Sequence, residues 1–259
     1  MRKLTIKKIL RKKNKSPIIC LTSYSKSTTE IVDKYCDIIL VGDSLGMVLY
    51  GMKSTKDVKL ETMIDHGKTV KKYAKKSLVV VDMPYKTYTN KLVAFKNASK
   101  LMKLTKCDAV KLEGGKKISK IISHLVNKGI PVMGHVGLLP QSSKKYRLKG
   151  KNIYEKKIIL EDAISVARSG AFSMVIECVV ESLAKKITKS VSIPTIGIGA
   201  SKHCDGQILV IDDMLGLSNF VPKFVKQYSN IRKVIEKSVK NYAKEVKLRK
   251  FPSFSNVYN

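Results

Sequence analysis

Eight short apolar runs recur along the chain, and their spacing limits what it can fold into. "PIICLTSY" begins at Pro17, "CDIILVGDS" at Cys36, "SLVVVDMP" at Ser77 and "CDAVKLEGG" at Cys107. "IPVMGHVGL" begins at Ile130, "FSMVIECV" at Phe172, "IPTIGIGA" at Ile193 and "GQILVIDDM" at Gly206. Each is rich in Val and Ile and apolar on both faces, as strands of a covered parallel sheet are. Helix-like segments lie between them: Leu60–Lys75, Asn90–Lys103, Lys117–Lys128 and Lys157–Ser169. Gly129, Gly170 and the Ile-Pro pairs at 130–131 and 193–194 punctuate the alternation. The link before "GQILVIDDM" is too short for a full helix.

Strand–helix alternation over 259 residues, with no linker rich in Pro, Gly or Ser, predicts one α/β domain spanning 1–259. A (β/α)8 TIM barrel fits best, and a doubly wound open sheet is the alternative. Within the basic N-terminal segment, 1–16, a helix around Leu4–Arg11 is predicted to cap the barrel base. Residues 228–248 read as a terminal amphipathic helix with the stripe Ile231, Ile235, Val239, Tyr242 and Val246.

Charge narrows the partners. Lys and Arg number 51 against 20 acids, a net charge of +31. Such a balance suits a nucleic-acid binder. However, the excess is nearly all Lys, is spread along the whole chain, and forms no basic block with interleaved aromatics. A compositional bias is the simpler reading, so no nucleic-acid partner is expected. No apolar run reaches the length of a membrane span, and the N-terminal segment lacks a secretory leader. The expected location is cytoplasmic, with no membrane partner. Five cysteines without a C-x-x-C indicate neither a disulfide framework nor a zinc site. Cys20, Cys107 and Cys178 read as small buried residues.

In a parallel barrel the chemistry gathers at the C-terminal ends of the strands. Those ends carry Asp43 and Ser44, Asp82, Lys111 and Glu113, His135, and Glu177. Four carboxylates at one mouth need a cation, and oxygen ligands without paired Cys or His suit Mg²⁺. Asp43 and Asp82 are candidate direct ligands, with Glu113 direct or through water. Lys111 and Glu113, two apart on a strand, face the same way. Lys111 either binds an anionic substrate or snorkels to the rim. Glu177 is a metal ligand, a general base or an ion-pair partner. His135 is a core residue or a support for the groups that touch ligands. "PTIGIGA" is no dinucleotide fingerprint, since its third Gly would fall at Lys202.

The blocks "ILVGDSLGMVLYG", "VVVDMPY", "AVKLEGG", "IPVMGHVGLLPQS", "MVIECV", "IPTIGIGA" and "CDGQILVIDDMLGL" occur in this order. Together they resemble the ketopantoate hydroxymethyltransferase family from about Ile18 to Pro252. The resemblance implies a barrel of the phosphoenolpyruvate/pyruvate superfamily. It also implies hydroxymethyl transfer from 5,10-methylenetetrahydrofolate to 3-methyl-2-oxobutanoate, in pantothenate synthesis. By resemblance, Asp43 and Asp82 hold one Mg²⁺ per subunit and border the keto acid. Glu113 belongs to the metal environment, Ser44 and Lys111 bind the keto acid, and Glu177 is the base. A homo-oligomer, commonly a decamer, is likewise implied. Another Mg²⁺-dependent C–C lyase or mutase of that superfamily is the alternative. Two departures from the family pattern stand out: Tyr24–Ser25 replaces a common Tyr–Asp, and a shortened loop carries Lys144 and Lys145.

Overall fold

The computed structural model describes residues 3–143, 146–218 and 221–258. Lys144 and Lys145 lie outside the described residues. Residues Met1–Val210 form one compact unit and Ile211–Asn259 a second.

In the first unit all eight apolar runs are strands. They are β1 (Ile18–Thr22), β2 (Ile38–Val41), β3 (Leu78–Asp82), β4 (Ala109–Lys111), β5 (Val132–Gly137), β6 (Ser173–Glu177), β7 (Thr195–Ile198) and β8 (Gly206–Leu209). Each pairs in parallel with the next and β8 closes on β1, so the barrel has no free edge. The predicted helices form as α4 (Leu60–Tyr73), α5 (Lys91–Thr105), α6 (Ser119–Asn127) and α7 (Ile153–Arg168). Around them run α1 (Ile6–Leu10), α2 (Lys26–Tyr35), α3 (Leu45–Val48) and α8 (Glu181–Ser190). No helix separates β7 from β8, as the length of that link required.

The barrel interior follows the period of two of a strand. Ile18 and Cys20, Ile38 and Leu40, Leu78 and Val80, Ala109, Met133, Val175, Ile196 and Ile208 all enter one buried cluster. Ile9 of α1, fully buried, belongs to it, with Ile6 packed alongside. The N-terminal helix therefore plugs the barrel floor.

A repeated dipeptide secures that floor. Cys36–Asp37, Cys107–Asp108 and Cys204–Asp205 each precede a strand. Each aspartate accepts a backbone N–H from the preceding odd-numbered strand region: Asp37 from Ile19, Asp108 from Val79, Asp205 from Thr195. Each also holds a lysine. Lys12 lies 2.8 Å from Asp37, Lys13 2.8 Å from Asp205, and both Lys3 and Lys71 meet Asp108. All five cysteines are free; Cys20 and Cys107 are buried as expected, but Cys178 is only partly so. It follows β6 in a left-handed turn at φ 47°, which carries it out of the apolar layer.

In the second unit, α9 (Ile211–Met214) leads to α10 (Ile231–Lys247). Tyr228 N–H donates to Met214 O and Ile231 N–H to Leu215 O, both at 2.9 Å. The apolar positions of α10 stay open: none of its residues is buried, and Ile235, Val239 and Tyr242 are about half exposed. No helix among the described residues is long and apolar enough to cross a membrane.

Candidate active site

The interior series of the strands does not stop at the apolar layer. Leu78 and Val80 lead to Asp82; Ala109 leads to Lys111 and then Glu113; Met133 leads to His135; Val175 leads to Glu177. The same alternation that buries aliphatic side chains thus sets charged ones in the next layer up, at the C-terminal mouth. Strand register puts Asp82 beside Lys111 and Gly137 beside Glu177. Asp43, Asp82, Lys111, Glu113 and His135 are all buried, and Glu177 is nearly so.

Asp82 sits between two positive groups. Its Oδ2 accepts the Asp43 backbone N–H at 3.0 Å, and its Oδ1 lies 2.7 Å from Lys111 Nζ. That second contact is ionic, without the alignment of a hydrogen bond. Burial works against the Lys111 charge, but Asp82, then Glu113 and Asp43, outweigh it and hold its pKa above the usual lysine value. Asp43 has the opposite problem. Burial first, then the charges of Asp82 and Glu113, push its carboxyl well above the ordinary range.

Glu113, His135 and Glu177 form a chain across the mouth. His135 Nδ1 lies 3.5 Å from Glu113 Oε1 and Nε2 lies 3.2 Å from Glu177 Oε2. Burial and Lys111 lower the imidazole pKa, but the two flanking carboxylates raise it to about 9. His135 is therefore a cation at neutral pH, and it holds Glu113 below the usual carboxylate range despite burial. Gly137 makes the approach of β5 to β6 possible. Its φ is +96°, and a Cβ there would lie 2.4 Å from Glu177 O.

Ser44 opens α3, and its Oγ lies 2.9 Å from the Tyr24 hydroxyl. The Tyr24–Ser25 departure thus divides its work: Tyr24 supports Ser44, while Ser25 caps α2 by accepting from Thr28 N–H. Three further residues, absent from the sequence-based site, reach the mouth. Gln141 donates through Nε2 to Asp43 Oδ2 at 2.8 Å. Tyr88 donates to the Gln141 amide oxygen. Tyr146 feels Glu177, Asp43 and Glu113 strongly enough, after burial, to raise its phenol pKa.

Four carboxylates face two cations here, so the arrangement has room for a divalent positive charge. Among the described residues no three carboxylate, imidazole or thiol groups converge as a ready-made ligand set. The carboxylate oxygens of Asp43 and Asp82 are hard donors of the kind that fit Mg²⁺, which takes one or two carboxylates and completes its shell with water and substrate oxygens. Both Glu113 oxygens point at protein partners, His135 and the Gln141 N–H.

A closed parallel barrel whose C-terminal mouth buries carboxylates around one lysine and one imidazolium defines the class: a (β/α)8-barrel enzyme. Residues 3–254 match the family described as ketopantoate hydroxymethyltransferase, and the chain belongs to that family of hydroxymethyltransferases. It is 55% identical over 255 residues to a 3-methyl-2-oxobutanoate hydroxymethyltransferase of Pelagibacter ubique (strain HTCC1062), covering 97% of this chain and 99% of that protein. It is 48% identical over 262 residues to the enzyme so named in Rhizobium etli, covering 99% and 96%. Among solved structures, a phosphonopyruvate hydrolase in complex with oxalate and Mg²⁺ superposes with a TM-score of 0.64 at 9% identity, covering 98% of this chain and 93% of that one. A 2,3-dimethylmalate lyase superposes at 0.63 and 10% identity, covering 97% and 87%. At such identities the likeness is one of fold.

Proposed function

We propose that the chain transfers a hydroxymethyl group from 5,10-methylenetetrahydrofolate to 3-methyl-2-oxobutanoate, giving 2-dehydropantoate. In this reading Asp43 and Asp82 hold one Mg²⁺, and Glu113 contributes through water. The observation that carries it is the burial of Asp43 against Asp82 with, among the described residues, Lys111 as the neighbouring counter-charge. When bound, the metal would polarise the keto acid and acidify the C–H beside its carbonyl.

The remaining work falls to the chain. Lys111 and Ser44 hold the substrate carboxylate, which fixes the reacting carbon toward Glu177. Glu177, the least buried of the four acids, takes the proton. His135⁺, 3.2 Å from its Oε2, orients the carboxylate that receives it. Water opens the two C–N bonds of the folate methylene, which frees that carbon at the aldehyde level and leaves tetrahydrofolate. The carbon freed of its proton attacks it, forming the new C–C bond, and the proton held by Glu177 returns to the new oxygen as the product hydroxyl.

Proton exchange isolates the first step. In D2O, the wild-type enzyme with Mg²⁺ should exchange the C3 proton of 3-methyl-2-oxobutanoate without folate, followed by NMR. Glu177→Gln should slow that exchange by about 10²–10⁴-fold while the keto acid still binds. Full exchange by Glu177→Gln would refute Glu177 as the base. Exchange persisting in the wild type after chelation would refute the metal.

A further inference from the structure

Gln141 is buried with both polar atoms of its amide side chain engaged. Its Nε2 donates to Asp43 Oδ2 at 2.8 Å and to Met83 O at 3.0 Å. Its backbone N–H donates to Glu113 Oε2 at 3.0 Å. Its Oε1 accepts from the Tyr88 hydroxyl, whose oxygen also lies 3.3 Å from Glu113 O. One residue thus touches Asp43 and the residue after Asp82 through its side chain and Glu113 through its backbone.

The amide can point only one way. Rotating it by half a turn would set Oε1 against the Asp43 carboxylate and the Met83 carbonyl, two acceptors facing an acceptor. Tyr88 blocks that rotation by donating to Oε1. The donor at Asp43 is consequently fixed by a residue that itself touches no carboxylate oxygen.

We propose that Gln141 is a positioning residue for the cation site: its amide, locked by Tyr88, occupies one oxygen of Asp43 and leaves the other aimed at the metal. The proposal rests on the reading of Asp43 as a ligand. Partners that orient metal ligands typically matter by about 10–100-fold in affinity when removed, and a pair acting through one contact loses that contact only once.

The test is a titration of the substrate-free protein with Mn²⁺, reading free ion by electron paramagnetic resonance. Wild type, Asp82→Ala, Gln141→Ala, Tyr88→Phe and the double variant Gln141→Ala/Tyr88→Phe are compared. Gln141→Ala should raise the Mn²⁺ Kd about tenfold or more. Tyr88→Phe should raise it by less, and the double variant should match Gln141→Ala alone. If Gln141→Ala does not fold, Tyr88→Phe decides, and an unchanged Kd there overturns the proposal. So does additivity in the double variant, or wild-type affinity in Gln141→Ala. A wild type that binds no Mn²⁺, or binds it as well after Asp82→Ala, overturns the underlying metal reading as well; loss in Asp82→Ala with none in Gln141→Ala overturns this inference alone.

Discussion

Asp205 ties two other segments to its own with one carboxylate. Its Oδ2 takes Lys13 Nζ and Thr195 N–H, each at 2.8 Å, and its Oδ1 takes the Asn14 N–H at 3.0 Å. Burial alone would raise its pKa, but Lys13 and the two backbone donors lower it. Asp108 is lowered in the same way by Lys71 and Lys3, and Asp33 by the N–H groups of Ser77, Lys75 and Lys76. A carboxylate depressed in the folded state contributes stability fully above its unfolded pKa of about 3.9 and loses it as pH falls through the folded value. The contribution of these three carboxylates in urea unfolding should therefore be complete above about pH 5 and decline below pH 4. Asp205→Ala, which strands a nearly buried Lys13, should cost about 3–5 kcal/mol at pH 7 and flatten the acid decline. None of this was legible in the sequence. The three Cys-Asp pairs stand 71 and 97 residues apart, and only barrel closure places them on one floor.

At the scale of elements, hydrophobic runs of four to eight residues gave strand positions because a covered parallel strand has little else to vary. The charged residues ending those runs were legible for the same reason, since an acid on an interior series must lie at one end of the barrel. Gln141 and Tyr88 escaped notice because they lie in loops, where no period assigns a facing side. Their placement follows from how the β3–α5 connection and the residues just after β5, 138–143, lie over the mouth. Gly137 shows how tightly two strands constrain the base. Gly137→Ala forces a side chain into a left-handed turn against Glu177 O and should cost about 1–3 kcal/mol in urea unfolding. The displaced Glu177 should also lower kcat more than it raises KM.

For the whole molecule, charge and exposed apolar surface pull in opposite directions. Each copy carries +31, which opposes association, while α10 presents Ile235, Val239, Tyr242 and Val246 to solvent, which favours it. The implied homo-oligomer would have to overcome that repulsion. Added salt screens it within a Debye length of about 8 Å at physiological ionic strength. Sedimentation velocity should accordingly show species heavier than 28.9 kDa, with a larger share at 0.3 M salt than at 0.03 M. Ile235→Glu/Val239→Glu should shift the population toward the single chain, and a wholly monomeric wild type at both salt levels would refute the expectation.

Because Ile9 seals the pole opposite the acids, the barrel is a cup rather than a pipe. Reactants cannot queue through it from both sides. Under the proposed reaction the keto acid and the folate would share that single mouth, so initial-rate kinetics should show an ordered sequential pattern rather than a random one.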